Sequence, residues 1–263
     1  MIAGHSGCNI SIEDGLLIKS TKGTDYPKAR LAAQIEKQKS FYEIVSDKQL
    51  LIPRIVKEDF SDGYSAYMQY FRCSNIVQYL HRAGKPDLDA LVKKLCDFIE
   101  FCLTRCELVT IDKSLLLNKF NSIDTPSGMR QKLDSYLDED ITIPVGVCHG
   151  DLTLSNVLIE PESNNFVLID FLDSFIESPI VDIAKIRQDT KHGWSSFIYP
   201  EKHDKIKIGL SLEYLDNKFT EYFKSYEFYK HYELFQFMNL VRILPYAKQT
   251  KTSNFLMKQI CSL

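Results

Sequence analysis

Residues 149–156 read His-Gly-Asp-Leu-Thr-Leu-Ser-Asn, and residues 168–171 read Leu-Ile-Asp-Phe. The first stretch contains Asp151 and, five positions later, Asn156; the second contains Asp170, fourteen positions after that asparagine. Metal-assisted phosphoryl transfer needs a group at the acceptor hydroxyl and oxygen ligands for Mg²⁺, and these three side chains supply that set. The spacing predicts a kinase active site with Asp151 as catalytic base and Asn156 and Asp170 as metal ligands.

Short apolar segments surround these motifs. Residues 145–147, 157–159 and 166–169 have the composition of β-strands, and residues 160–165, Glu-Pro-Glu-Ser-Asn-Asn, are typical of a turn. The alternative is that His-Gly-Asp is an ordinary turn and that Asp170 ends a strand. Three residue types at set spacing in a strand-loop-strand context favour the functional interpretation.

Three nearby residues are further candidates. His149 is predicted to pack and hydrogen-bond the loop without touching substrate. Asp182 begins a helix, where it either accepts hydrogen bonds from loop amides beneath Asp151 or is an ordinary first-turn acid. Asp173 either contacts a second metal ion or a substrate amine, or is an exposed loop acid, which is the favoured interpretation.

The N-terminal segment contains candidates for nucleotide binding. Gly4, Ser6 and Gly7 lie in a glycine-containing loop before a strand, where backbone amides approach phosphates. Lys19 on the following strand is predicted to contact the nucleotide phosphates, and Glu36 on the next helix to hold that lysine by an ion pair. Each charge taken singly resembles a solvated surface residue; the order of loop, lysine and glutamate favours the functional interpretation.

Two aromatic segments complete the candidate residues. Gln69 and Phe71 end a strand, where backbone groups and apolar surface suit an adenine ring, or else contribute to the core between lobes. Trp194, the single tryptophan, either stacks on a sugar ring or cationic headgroup or packs between helices, and packing is favoured.

Hydrophobic periodicity predicts an α+β fold with two lobes. Residues 8–19 form a hairpin, residues 25–44 a helix, and residues 50–56 and 64–70 two further strands. Helical spacing follows from residue 75. We therefore expect a nucleotide-binding lobe over 1–72, with a small antiparallel sheet and one helix, and a mainly helical lobe over 73–263 that carries the catalytic loop and substrate site.

Composition narrows the classes of partner. The chain has 263 residues, is 44% hydrophobic, and mixes 32 basic with 35 acidic residues for a net charge of −3. Without a basic stripe, nucleic acid is not expected as a partner. No apolar run reaches the length of a membrane span and no signal peptide is recognised, so a cytoplasmic location is expected. Seven cysteines without a CxxC pair disfavour structural zinc.

The motifs at 149–156 and 169–171 resemble those of the aminoglycoside phosphotransferase and choline kinase-like family, and the resemblance is clear over residues 145–190. It implies a protein-kinase-like fold, ATP with Mg²⁺ as cofactors, and transfer of the γ-phosphate to a hydroxyl of a small molecule. It also implies Asp151 as base and Asn156 and Asp170 as metal ligands. The expected acceptor is a small polar metabolite: a sugar, an amino sugar or an amino alcohol.

Other function classes remain as alternatives. A protein kinase is disfavoured, because only eleven residues separate Asp170 from Asp182 and Gly150 stands where an arginine is usual. A non-catalytic nucleotide-binding module is opposed by the intact Asp151, Asn156 and Asp170. A helical interaction protein, for which the motifs would be accidental, predicts no binding of Mg·ATP.

Overall fold

The computed structural model describes residues 8–22, 25–45, 50–126, 128–198, 203–247 and 249–263. These residues group into two units, each made of two chain segments. The first contains the described residues up to Tyr79 together with Ser155–Asp173, and the second contains Leu80–Leu154 and Ser174–Leu263. These units differ from the predicted lobes 1–72 and 73–263 because Ser155–Asp173 pair with N-terminal residues.

The first unit contains a small antiparallel sheet and one long helix in its N-terminal segment. Its elements there are β1 (Asn9–Glu13), β2 (Leu16–Thr21), α1 (Asp25–Ile44), β3 (Leu50–Leu51), β4 (Ile55–Asp59) and β5 (Tyr64–Gln69). Four of the strands form the sheet in the order β1-β2-β5-β4. Leu31 and Ile35 of α1 pack on Tyr64, Ala66 and Met68 of β5 to form its core. The predicted hairpin and helix are confirmed.

The predicted strand over residues 50–56 is wrong, because two short strands occupy this range. Pro53 lies between β3 and β4, and proline cannot donate a hydrogen bond to a strand ladder. The two strands join different sheets: β4 pairs with β5, whereas β3 pairs in parallel with β9 (Phe166–Leu168). β9 pairs in turn with β8 (Val157–Ile159). This second sheet draws Ser155–Asp173 into the first unit.

The second unit is mainly helical. Helix α2 (Ile76–Arg82) leads into it, followed by α3 (Lys85–Leu103), α4 (Lys113–Asn121), α5 (Met129–Tyr136), α6 (Pro179–Thr190), α7 (Trp194–Ile198), α8 (Lys205–Phe223), α9 (Tyr232–Ile243) and α10 (Thr250–Ser262). The buried face of α3 includes Leu91, Leu95, Phe98 and Cys102, which are spaced as on one side of a helix. The predicted α+β class is confirmed.

One strand of the second unit was not predicted. β6 (Cys106–Thr110) pairs antiparallel with β7 (Thr142–Gly146), the strand expected at 145–147. The last four residues of β6 are exposed, so the sequence has no alternation of buried and exposed positions there to indicate a strand.

Helix α6 begins beneath residues 149–154, which we call the motif loop. The residues around its first turn specify where it starts. Ser178 caps it by accepting a hydrogen bond from the Ile180 amide, and Pro179 occupies the first turn, where its missing N–H has no partner to lose. Every residue of α6 except Lys185 is buried. No helix in the described ranges is both long and apolar enough to span a bilayer.

Candidate active site

The backbone of the motif loop is held by Asp182 in the first turn of α6. Its fully buried carboxylate accepts hydrogen bonds from the amide of His149 (2.6 Å) and from the amide of Gly150 (2.7 Å). Gly150 has φ of 83°, a conformation that favours glycine and turns successive amides toward the carboxylate. Of the two interpretations of Asp182, the geometry is that of an acceptor for loop amides.

His149 is fully buried beneath the loop. Its Nδ1 accepts a hydrogen bond from the Asp151 amide at 3.2 Å, and its ring meets Phe98 edge-on with 6.5 Å between centroids. Because Nδ1 accepts from the backbone, the ring fixes the amide that carries the Asp151 side chain. This position agrees with a supporting role for His149.

The Asp151 carboxylate has a lysine partner that the sequence did not predict. Lys185 Nζ lies 2.9 Å from Asp151 Oδ1, and the two side chains are only 12% and 27% exposed, respectively. Lys185 lies three residues after Asp182, so 3.6-residue periodicity places both on one face of α6. That spacing was the signal by which Lys185 could have been found.

A second buried carboxylate of α6, also not predicted, ties the end of the loop to α7. Asp189 accepts hydrogen bonds from the amides of Leu154 and Ser195, both at 2.6 Å. Burial raises the pKa of Asp189 to about 6, although both amides and the nearby Lys185 charge act to lower it. Asp189 therefore titrates within a range that is easily reached in solution.

The raised pKa of Asp189 predicts a pH-dependent contribution to stability. Folding favours the protonated form, so this contribution is complete below about pH 4, the pKa of an unfolded aspartate, and is lost as pH rises through about 6. Urea unfolding of the wild type and Asp189→Asn should show a stability difference that falls by about 1–3 kcal/mol between pH 4 and pH 7. A constant difference, or one that rises with pH, would contradict the assignment.

We expect Asp182→Ala to lower the free energy of unfolding by about 2–4 kcal/mol, because two buried amides lose their acceptor. Asp182→Asn should lose less, since its amide oxygen can still accept one bond. Urea unfolding measures both, with Asp138→Ala, at an exposed position, as the control. A loss in Asp182→Ala no larger than in that control would show that the carboxylate does not hold the loop.

In the first unit, Lys19 and Asp170 form an ion pair. Lys19 is 4% exposed, and its Nζ lies 2.7 Å from Asp170 Oδ1 and 3.0 Å from Gln34 Oε1. Asp170 has φ of 62°, an uncommon backbone conformation for a residue with a side chain. The predicted phosphate-binding lysine and the predicted metal-binding aspartate therefore share one site.

Strand register places Asn156 beside Asp170. Val157 pairs with Leu168 in the antiparallel β8–β9 ladder, and the Ile169 amide donates to the Asn156 carbonyl at 3.1 Å. Asn156 and Asp170 thus lie at the same end of the strand pair. The Asn156 side chain is buried and that of Asp170 is 43% exposed.

These two side chains fit Mg²⁺ by their donor chemistry. An amide oxygen and a carboxylate are hard donors, and Mg²⁺ commonly takes one or two protein ligands and completes its shell with substrate phosphates and water. In the described part of the chain, no group of three or more His, Cys, Asp or Glu side chains is placed to hold a metal ion.

The predicted partnership between Lys19 and Glu36 is wrong. Glu36 is exposed and its carboxylate pairs with Lys39 at 2.6 Å. Two helical residues correspond to a rotation of about 200°, so Glu36 points away from the face on which Gln34 meets Lys19. The signal for Gln34 was its polar side chain at a position that the spacing of Leu31 and Ile35 assigns to the buried face.

The remaining candidates are placed as follows. Gln69 ends β5 with an exposed side chain, Phe71 is half-buried two residues later, and Asp173 is exposed. Trp194 is half-buried and stacks with Phe197 at 6.2 Å between centroids, as expected for packing. The predicted glycine loop, with Gly4, Ser6 and Gly7, lies outside the described residues.

Comparison with known proteins identifies the architecture. Residues 108–203, which include both motifs and α6, match the profile of the phosphotransferase enzyme family (APH). Comparison with curated proteins gives no match.

Solved aminoglycoside phosphotransferases are similar over nearly the whole chain. A thermostable mutant of APH(4)-Ia, in a ternary complex with ADP and hygromycin B, shares 12% identity over 97% of this chain and 92% of its own, with a TM-score of 0.58. ADP-bound APH(2'')-Ib shares 15% over 99% and 90%, with a TM-score of 0.59. The streptomycin–ATP complex of APH(2'')-IIa shares 14% over 97% and 91%, with a TM-score of 0.55.

The similarity is one of fold at low sequence identity, and the family profile covers the segment that carries the motifs. This chain therefore has the fold of the aminoglycoside phosphotransferases, and the resemblance to their family that the motifs predicted is confirmed.

Proposed function

We propose that this protein is an ATP- and Mg²⁺-dependent phosphotransferase that moves the γ-phosphate to a hydroxyl of a small polar metabolite. One observation carries the proposal: the motif loop presents Asp151 from a backbone fixed on α6, while Asn156 and Asp170 end one strand pair beside the buried Lys19. A general base, two metal donors and a cation for phosphate are the groups that this chemistry needs.

On the acceptor side, Asp151 orients the hydroxyl and takes its proton. The acceptor oxygen forms a bond to the γ-phosphorus while the bond from that phosphorus to the bridging oxygen breaks, and its electron pair leaves with ADP. Because such transition states are loose, the position of the carboxylate matters more than its basicity. The contacts of His149 and Asp182 with the loop serve this positioning.

On the nucleotide side, Asn156 and Asp170 would hold Mg²⁺, and Lys19 brings positive charge to the phosphates. When bound, Mg²⁺ would supply the charge that neutralises negative charge developing on the phosphates. Lys19 is buried, and its ammonium is fixed in place by hydrogen bonds to Gln34 and Asp170. A preorganised cation stabilises transition-state charge without reorganisation.

Two considerations support a proposal for the acceptor class: what similar solved proteins bind, and the chemistry of the site. Two of the similar solved structures described above are aminoglycoside phosphotransferases in complexes that contain hygromycin B or streptomycin. Both are polar molecules with several hydroxyl groups. We infer a sugar, amino sugar or amino alcohol as the acceptor of this chain.

The experiment is ADP release from ATP and Mg²⁺ against a panel of sugars, amino sugars, amino alcohols and aminoglycosides. At least one compound should raise ADP release in the wild type and not in Asp151→Asn. Thermal unfolding with and without Mg·ATP is measured in parallel, because a ligand that binds only the folded state raises the melting temperature. Stabilisation by Mg·ATP without release for any acceptor would favour a non-catalytic nucleotide-binding module, and no stabilisation would contradict both.

A further inference from the structure

The face of α6 beneath the loop carries three charged residues at helical spacing. Asp182, Lys185 and Asp189 are separated by three and four residues, so they lie in one row along the helix. Asp182 holds the beginning of the loop and Asp189 its end. Lys185, between them, contacts the carboxylate of Asp151 at 2.9 Å.

Lys185 is the least buried residue of α6, yet most of its side chain is removed from water. Its side chain is 12% exposed, and its partner Asp151 is 27% exposed. Removing a lysine and an aspartate from water is unfavourable, and a buried ion pair is often no better for stability than well-packed apolar side chains. The position of this pair, on the predicted catalytic base, indicates a role in the site.

We propose that Lys185 is a positioning residue that holds the Asp151 carboxylate ionised and fixes its rotation for the acceptor hydroxyl. This inference rests on the proposed function, in which Asp151 is the base. The carboxylate is planar, so fixing Oδ1 by the ammonium also fixes the direction of Oδ2. The nearby charge favours the ionised form that accepts the proton.

Among the described residues, titratable groups lie near this pair on both α6 and the loop. Asp182 and Asp189 lie on the same face of α6, and His149 contacts the Asp151 amide from the loop. Asp182 and Asp189 accept backbone hydrogen bonds, and the positive charge of Lys185 acts to lower the pKa of Asp189. A measurement on Asp151 must therefore be separated from the titration of Asp189.

The kinetic test compares Lys185→Met, Lys185→Gln and Lys185→Arg, with Lys191→Met, at the exposed position directly after α6, as the matched control. In the Met and Gln variants kcat should fall about 10–100-fold with KM for ATP little changed, because the base is misplaced and nucleotide binding is not. The acid limb of the kcat–pH profile should move up by about one pH unit. Lys185→Arg should restore part of kcat and bring the acid limb of the profile back to its wild-type pH.

A readout that needs no turnover distinguishes this inference from the proposed function. Carbon-13 NMR of protein with labelled aspartate follows the Asp151 carboxyl signal, which is assigned by its loss in Asp151→Asn. The pH midpoint of its titration should rise in Lys185→Met. If that variant does not fold, Lys185→Gln replaces it. An unchanged midpoint and pH limb would overturn the inference even if kcat fell, because packing alone would then explain the loss. Inactivity of the wild type would contradict the proposed function, and the NMR titration would still decide on Lys185.

Discussion

Asp151→Asn is expected to reduce phosphoryl transfer by about 10²–10⁴-fold, the range associated with loss of a general base. An asparagine amide has almost the same shape as the carboxylate, but it cannot take the proton from the acceptor hydroxyl. Affinity for Mg·ATP should stay within about threefold of the wild type, because Lys19, Asn156 and Asp170 are untouched. Initial rates of ADP release at saturating ATP, together with calorimetric titration of Mg·ATP, measure both quantities.

Asp138→Asn is the matched control, since it makes the same chemical change at an exposed position. It should retain wild-type rates. Turnover in Asp151→Asn equal to that of the control would remove Asp151 from the mechanism, and with it the proposed acceptor side of the site.

Asp170→Ala is expected to weaken both binding and turnover. The charged metal ligand is lost, so the dissociation constant for Mg·ATP should rise by at least about tenfold, or about 1.4 kcal/mol. The kcat/KM value should fall further, because the metal charge acts most strongly on the transition state. Lys19 also loses the carboxylate that now lies 2.7 Å from its ammonium.

The role of Asp170 as a metal ligand is tested by how strongly the affinity for ATP depends on Mg²⁺. Titrations of ATP with Mg²⁺ and with a chelator should differ strongly in the wild type and little in Asp170→Ala, because the variant no longer holds the ion well. Thermal unfolding checks that the variant is folded. A variant that gains as much affinity from Mg²⁺ as the wild type would exclude Asp170 as a ligand.

Local signals explain what could be predicted from the sequence. The hairpin is specified by Asp14-Gly15, which lie between two strands with alternating apolar and polar residues. Both turn residues adopt positive φ, as the turn requires. The start of α6 is specified by Ser178 and Pro179. The sequence placed Asp182 in the first helical turn, but it left open whether the carboxylate accepts hydrogen bonds from loop amides or only complements the helix dipole.

Contacts that depend on tertiary placement could not be predicted in the same way. Lys185 meets Asp151, and Asp189 meets Leu154, across more than thirty residues of sequence. Gln34, and not Glu36, contacts Lys19. The two residues are two positions apart on α1 and therefore point in different directions, and only Gln34 faces β2. Sequence patterns give the face of a helix, whereas the partner on that face depends on the packing of distant elements.

The most direct test of the central claim follows the phosphoryl group itself. The wild type and Asp151→Asn are incubated with Mg²⁺, ATP labelled at the γ-phosphate and each compound of the acceptor panel, and the products are separated and identified by mass spectrometry. A phosphotransferase of the proposed kind carries the label to a hydroxyl of at least one acceptor in the wild type and not in the variant. Label that remains in ATP, or that appears only as inorganic phosphate with every acceptor, would contradict the account.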